Sequence, residues 1–234
     1  MQRAKLLVFA LLAVSMFSAV AAATASAELP VILNARGEVA GLTKFEGTSR
    51  LTTRLSTLGS SVEVTCPETE TRGEFEARSP LGPFHLDFKG CTTTAGGKCT
   101  GLGEETGVIL SLGTIHIVYD VLRPELGAAV LFLIQNTHFE CEVLIVHKLI
   151  LTLGQLLCLI TPISRLSARS TITCETTRTL GDPKEVTYWN DAEREVNIAE
   201  GLLSSENDST FTMSAESGSG EVRTTSGEEI NIMA

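Results

Sequence analysis

The chain has 234 residues, of which 28 are Asp or Glu and 18 are Lys or Arg, so its formal net charge is -10 at neutral pH. Nucleic acids and anionic membrane surfaces attract a positive protein surface, so this balance argues against both as partners. The length suits one domain or two small ones, with enough residues to bury a substantial core.

The amino terminus predicts export. Two basic residues, Arg3 and Lys5, precede an apolar run, and Ala25-Ser26-Ala27 has the small-x-small pattern that signal peptidase accepts. We therefore predict a signal peptide over residues 1–27, cleaved after Ala27, and one secreted β-rich extracellular domain over residues 28–234. Loss of the two basic residues takes the net charge from -10 to -12. Retention as a membrane anchor is the alternative, because the apolar run approaches the roughly 17 residues that span a bilayer.

Six cysteines lie in the predicted mature chain, and an even number in an exported protein favours disulfides. The disulfide candidates are Cys66, Cys91, Cys99, Cys141, Cys158 and Cys174. A structural zinc site usually has ligands about two to four residues apart, whereas the closest cysteines here, Cys91 and Cys99, have seven residues between them. A redox C-x-x-C motif is absent from the sequence, so we predict structural bridges.

Alternating segments in the first two thirds of the chain predict β-strands. Apolar residues recur at every second position, the period of a strand with one buried face. In chain order they are Val62, Val64 and Cys66; Phe84, Leu86 and Phe88; Ile115, Ile117, Tyr119 and Val121; and Phe139, Cys141, Val143 and Ile145. Turn-forming residues fill most gaps, so the pattern predicts an all-β fold, an antiparallel sandwich or a barrel-like domain. The histidines His85, His116 and His138 fall on the opposite phase, and we expect them at the surface.

Residues 144–163 are apolar on both faces. Because His147-Lys148 and Gly154-Gln155 interrupt the run, and Lys at the centre of a membrane helix costs up to roughly 3 kcal/mol, we favour two buried strands that turn at one of these pairs. A core helix and a membrane segment are the alternatives. We expect no stable membrane insertion of the mature chain.

The character of the sequence changes near residue 180, where a subdivision of the domain is the alternative to a single unit. The charged run that follows, residues 182–201, is typical of a short helix or an exposed hairpin. Alternation around Phe211 and Met213, and again around Ile230 and Ile232, predicts closing strands.

The strand phases also favour a set of disulfide pairs. Cys66, Cys141 and Cys174 fall on the inward phase of their segments, so a bridge through the core between two of them is plausible. The favoured set is Cys91 with Cys99, Cys66 with Cys141, and Cys158 with Cys174, and Cys66 with Cys174 remains open. Six cysteines allow 15 pairings, and spacing alone does not choose among them.

Several short motifs together resemble a known family. They are the signal ending ASAELP, the strand SVEVTC, the loop FKGCTTTAGGKCTG followed by GVILSLGTI, the strand HFEC, the stretch with LITPI, and the ending LLSSENDSTFTMSAES with GEEINIMA. The set is similar to secreted, cysteine-containing, β-rich proteins of uncharacterised function, many of them from soil actinobacteria. The resemblance covers most of the mature chain and implies no activity, cofactor or catalytic residue. Cys158 and its very apolar segment depart from that pattern.

Sequence motifs for catalysis are sparse. The sequence has no H-x-x-x-H or H-E-x-x-H spacing, no G-x-S-x-G elbow, and no Walker lysine after its glycine-rich loop. We therefore predict no catalytic, cofactor-binding or metal-binding residue and no cofactor. Three carboxylate pairs have the residue type for acid–base chemistry on a glycan, although such pairs are usually solvated: Glu74 with Glu76, Glu104 with Glu105, and Glu228 with Glu229.

Three functional hypotheses follow from these observations. The first is a secreted or envelope-associated, non-enzymatic β-domain that serves as a binding or structural module, with an envelope glycan or a protein as its partner. The alternative is a secreted hydrolase that acts on glycan through carboxylate acid and base residues. The third is an envelope protein anchored by its uncleaved amino terminus or by residues 144–163.

Overall fold

The computed structural model describes residues 30–57, 62–76, 81–120, 128–175, 185–189, 195–199, 201–207 and 209–233. The predicted signal peptide and the change of character near residue 180 lie outside them. Within these ranges the chain forms strands and no helix. The strands are β1 (Val31–Asn34), β2 (Thr43–Ser49), β3 (Thr53–Thr57), β4 (Glu63–Cys66), β5 (Glu68–Phe75), β6 (Leu81–Lys89), β7 (Thr92–Thr93), β8 (Cys99–Gly101), β9 (Val108–Asp120), β10 (Ala128–Val143), β11 (Val146–Thr161), β12 (Leu166–Ser167), β13 (Arg169–Glu175), β14 (Glu185–Trp189), β15 (Glu195–Ala199), β16 (Gly201–Glu206), β17 (Thr212–Thr224) and β18 (Ile230–Met233).

Eight of these strands close into an antiparallel barrel. Their spatial order, β2-β5-β6-β9-β10-β11-β13-β17, is also their order along the chain, and β17 pairs with β2 to complete the ring. The all-β antiparallel prediction is therefore confirmed, with the barrel as the architecture. Closure of the ring leaves none of its eight strands as an open edge.

The remaining strands decorate this barrel. A branch of β3, β4 and β7 extends from β17, and β16 lies between β11 and β17. Strand β8 pairs with β10, and the β14–β15 hairpin pairs with the end of β9. Strands β1, β18 and β12 form a separate three-stranded sheet. Within the charged run, the described residues 185–189 and 195–199 pair as antiparallel strands, which fits the hairpin and not the helix, and the two predicted closing strands are confirmed as β17 and β18.

The barrel interior follows the predicted alternation. Phe84 and Leu86 of β6 are buried in the main core cluster, and Phe84 packs edge-on against Phe132 of β10 with ring centroids 5.0 Å apart. Such a pair is more favourable than its buried area alone implies, by about 1 kcal/mol. Val62 and Val64 are also buried, in a second cluster beside the β3–β4 branch.

One face of the β9–β10–β11 region departs from the prediction. His116 was expected at the surface but is buried, because the outer face of these strands carries an apolar cluster of its own. Leu131 lies directly opposite His116 across the β9–β10 pair and belongs to that cluster. His138 is exposed as predicted.

The apolar stretch after residue 143 is strand, as predicted, but the prediction of two strands is wrong: it forms one strand, and the turn lies before it. The chain turns at Leu144-Ile145, and β11 then runs without interruption through both predicted turn sites. Gly154 instead accommodates an irregularity with φ of 125°, where the β10–β11 register shifts. Ile145, expected to point inward, is 96% exposed because it occupies the turn. No helix in the described ranges has the length and apolarity to cross a membrane.

Three disulfides include all six cysteines, and only one of the three favoured pairs is correct. Cys158 bonds Cys174, its direct partner in the β11–β13 register. The predicted pairs Cys91 with Cys99 and Cys66 with Cys141 are wrong, and so is the open alternative of Cys66 with Cys174. The observed bonds are Cys66 with Cys91 and Cys99 with Cys141.

Strand pairing explains the corrected bonds. Strand β7 pairs with β4 through Thr92 and Thr65, which brings the preceding Cys91 beside Cys66. Strand β8 pairs with β10 so that Cys99 lies opposite Cys141. The two ends of the Cys91–Cys99 loop are therefore fixed to two different strands. Three disulfides fit an oxidising compartment outside the cytoplasm.

Candidate functional site

The interior of the barrel is incompletely filled along β17. Gly218 and Gly220 border a cavity there, and their lack of a side chain lets Thr53 and Ser49 approach closely: a Cβ at Gly218 would lie 2.9 Å from the Thr53 hydroxyl oxygen, and one at Gly220 would lie 3.1 Å from the Ser49 Cβ. β17 pairs with β3 through residues 214–217 and with β2 through residues 221–224, so the two glycines lie between these pairings. The cavity therefore lies beside the point where β17 changes its neighbour.

This cavity has a volume of about 60 Å³. One buried water needs roughly 10–15 Å³, so the cavity accommodates a few waters or a small organic molecule. Its surface is mostly apolar, with several hydroxyl-bearing residues among the lining. The hydroxyl-bearing residues are Thr48, Ser49, Thr53, Thr69, Thr71 and Ser219, and the apolar residues are Leu86, Phe132, Leu156, Ile172, Cys174 and Val222.

A second cavity of about 30 Å³ lies further along the barrel, and Glu216 and Thr53 border both cavities. Glu216 is partly exposed as a whole residue, although its carboxyl group lies deep within the protein. Desolvation by burial raises the pKa of Glu216 to about 7, because a low-polarity surrounding disfavours the carboxylate. Near neutral pH this carboxyl group can therefore hold or release a proton.

Three pairs of buried hydroxyl groups link strands near the two cavities. The Thr53 and Thr69 hydroxyl oxygens are 3.2 Å apart, and those of Ser111 and Thr137 are 2.8 Å apart. A third pair, between Thr152 and Ser204, also spans 2.8 Å. Buried polar groups cost stability unless they are hydrogen-bonded, so these pairs allow a polar zone inside the barrel.

We expect Thr137→Val to lower the free energy of unfolding by about 2 kcal/mol, because the buried Ser111 hydroxyl loses its partner. The double variant Ser111→Ala/Thr137→Val should cost less than the single variant, because neither partner is left unsatisfied. Urea unfolding of the four members of this double-mutant cycle measures the coupling. Additive costs would contradict a direct hydroxyl pair.

Of the sequence-predicted residues, Cys174 lines the larger cavity and Cys66 the smaller one, and both are there as disulfide partners. The six cysteines are all bonded, and Glu104, Glu105, Glu228 and Glu229 are exposed in loops. Glu74 forms a 3.9 Å ion pair with Lys44 on the barrel surface.

The sequence analysis missed Glu216. The alternation of Phe211 and Met213 predicts that Ser214 and Glu216 lie on the outward phase of this segment, whereas in the structure Ser214 is buried and Phe211 is exposed. A charged residue on the buried phase of a strand is unusual, and this makes it a functional candidate.

A charged groove on the outer surface of the barrel is a weaker candidate. It holds about 500 Å³ of open space between β2, β5, β6, β13 and β17. Its charges are largely paired with each other, as in Arg223–Glu46 at 2.8 Å and Arg169–Glu221 at 2.9 Å. Exposed pairs of this kind are worth about 0–1 kcal/mol each, and they leave little net charge for a charged ligand.

Among the described residues, no group of three or more His, Cys, Asp or Glu side chains has the arrangement to hold a metal ion. No protein family, curated protein or solved structure matches this chain. The cavity and its buried carboxyl group are therefore the basis for a functional proposal.

Proposed function

We propose that the protein is an exported, non-enzymatic β-barrel that binds a small ligand in the cavity beside Glu216. The observation that carries the proposal is a buried carboxyl group that borders two neighbouring cavities, whose mostly apolar lining includes several hydroxyl groups. Ligand sites are typically apolar concavities with a few converging polar groups. Eight-stranded barrels are either filled by side chains or wide enough for one small ligand.

Three features support export to the extracellular space or the cell envelope. The amino terminus has the basic, apolar and small-residue regions of a signal peptide. Three disulfides fit an oxidising compartment. The resemblance to secreted β-rich proteins points the same way.

The lining favours a small alkylammonium ion as ligand. An ammonium head group beside Glu216 would neutralise the carboxylate, and the Thr53 and Thr69 hydroxyls lie close enough to the same cavity to accept its hydrogen bonds. A short alkyl chain would contact Phe132 and Leu156. With about five non-hydrogen atoms, such a ligand reaches at best a micromolar dissociation constant.

Butylammonium at millimolar concentration is therefore expected to raise the unfolding temperature, and Glu216→Gln is expected to abolish this shift. Butanol and butyrate, of similar size, test whether the charge of the head group matters. Glu104→Gln, an exposed carboxylate in the loop after β8, is the matched control and should respond like the wild type. No shift with any of the three compounds would contradict a small-ligand site. A shift with butyrate alone would keep the site but reverse the charge of its ligand.

A hydrolase acting on glycan is the second candidate, and Glu216 is the observation that favours it. A carboxyl group with a raised pKa can act as a general acid near neutral pH. Chromogenic glycosides assayed with the wild type and Glu216→Gln decide between the two. If the wild type hydrolyses a glycoside and Glu216→Gln does not, the hydrolase replaces the binding proposal. If neither protein hydrolyses any glycoside, the binding proposal stands.

A further inference from the structure

The β10–β11 hairpin ends in three consecutive exposed aliphatic residues, Leu144, Ile145 and Val146, here called the apolar tip. Their side chains are 87%, 96% and 53% exposed. Single exposed apolar residues are ordinary on a protein surface, but contiguous ones at a projecting point indicate an interaction site.

The turn chemistry at the apolar tip is unusual. Val143 pairs with Val146, so Leu144 and Ile145 form a two-residue hairpin loop. Such loops prefer Asn-Gly or Asp-Gly, because their favoured turns require positive φ. Leu144 adopts φ of 59°, which is costly for a residue with a large side chain. The sequence thus places three apolar side chains where solvation favours polar residues, and at Leu144 the backbone geometry also favours glycine or Asn.

We propose that the apolar tip inserts reversibly into the interfacial layer of a lipid bilayer with electrically neutral head groups. Glu142 and His147 face each other across the hairpin and mark the boundary of its polar part. The apolar tip extends about two residues beyond this boundary, or about 7 Å at 3.3 Å per residue. Interfacial segments typically bury their apolar side by about 5–10 Å, which matches this depth.

The size of the apolar tip favours a bilayer over a protein partner. A stable protein interface needs roughly 800 Å² from each side, far more than three side chains supply. Polar residues follow on both strands, so no apolar surface continues down the hairpin. A bilayer requires no matching shape, and contact through so few side chains is weak and reversible rather than a stable insertion.

The charges behind the apolar tip favour neutral over anionic lipids. Glu142 is exposed, His147 pairs with Glu140 at 2.6 Å, and Lys148 pairs with Glu206 at 2.8 Å. Lys98, whose carbonyl oxygen accepts a hydrogen bond from the Glu142 amide, is an exposed cation on the adjacent loop. These charges nearly balance, and the chain as a whole is acidic, so anionic head groups gain no attraction.

Flotation with phosphatidylcholine vesicles tests this proposal on the mature chain. The wild type is expected to float with the vesicles, and the double variant L144N/I145G to show at least a tenfold lower bound fraction. Because Asn tolerates the positive φ of position 144 better than Leu does, and Gly accepts most turn conformations, the variant should unfold at the same or a higher temperature, which separates lost binding from lost folding. Leu42→Asn removes an isolated exposed leucine and should bind like the wild type.

Several results would overturn the proposal. They are a wild type that does not float, a double variant that floats equally well, and stronger flotation with phosphatidylglycerol than with phosphatidylcholine. Ile145→Ser alone is a milder second variant and is expected to show an intermediate loss. The assay does not involve the interior cavity, so its outcome is independent of ligand binding beside Glu216.

Discussion

Replacing Cys99 and Cys141 together by alanine is expected to lower the free energy of unfolding by about 4 kcal/mol. The bond closes a loop between residues 42 apart, and loop-closure entropy in the unfolded chain gives about that value. Single domains are stable by about 5–15 kcal/mol, so the loss is a large part of the total. Urea unfolding without reductant, with the midpoint and slope fitted together, measures it.

Cys158→Ala/Cys174→Ala is the matched control for loop length. Its cysteines are 16 residues apart, and the expected loss is about 3 kcal/mol. Cys99, Cys141 and Cys158 are almost completely buried and Cys174 is partly buried, so the loss of packing is no larger in the control than in Cys99→Ala/Cys141→Ala. A larger loss for the shorter loop would contradict the entropic origin of the stabilisation. A free thiol found at Cys99 in the unreduced wild type would contradict the bond itself.

The fold class was predictable because period-two alternation is a local property. In a strand with one buried face, apolar residues occupy every second position, as Phe84 and Leu86 do, so the local sequence indicates which face is buried. Burial of His116 was not predictable in this way, since it depends on a second apolar cluster that forms only when β9, β10 and β11 lie side by side. The turn at Leu144-Ile145 was missed because these residues lack the usual turn chemistry.

Two of the three disulfide pairs were also not predictable from the local sequence. Proximity in sequence suggested that Cys91 bonds Cys99, but the partner of each cysteine is fixed by which strand lies beside it. Cys158 with Cys174 was predicted correctly, and these residues lie opposite each other on neighbouring strands. Cys99 with Cys141 depends on the pairing of β8 with β10, which no local pattern reveals.

Recognition of Glu216 failed for a related reason. The apolar residues Phe211 and Met213 predict that Glu216 lies on the outward phase, whereas the folded chain brings it into one cavity with Phe132 and Leu156, from strands distant in sequence. Only the tertiary structure shows that this carboxyl group points inward. Whether it meets a filled core or a cavity depends on the closed barrel.

The buried carboxyl group should also make stability depend on pH. Burial raises the pKa of Glu216 to about 7, above the ordinary value of 4.5 that applies in the unfolded chain. Between these values the unfolded chain has lost this proton while the folded protein retains it, so stability falls as pH rises. Below about pH 4.5 both states are protonated and the cost vanishes. Above about pH 7 the cost is complete, at about 3 kcal/mol.

Glu216→Gln keeps the shape of the side chain and removes its charge. The variant is expected to be about as stable as the wild type near pH 4.5 and more stable by about 3 kcal/mol near pH 8, because the amide carries no buried charge at either pH. Urea unfolding at both pH values measures this difference in the free energy of unfolding. Glu104→Gln, at an exposed loop position, should be as stable as the wild type at both pH values.

Urea unfolding at the same two pH values also tests whether butylammonium binds beside Glu216. A butylammonium ion that pairs with ionised Glu216 offsets the cost of burying the charge, so the wild type should gain more stability from it near pH 8 than near pH 4.5. Glu216→Gln has no ionised carboxylate to pair, and it should show no such dependence on pH. An equal response of wild type and variant at both pH values would place the cation elsewhere. A wild type whose stability relative to Glu216→Gln does not change with pH would contradict the burial of this carboxyl group, and with it the assignment of the cavity as a charged site.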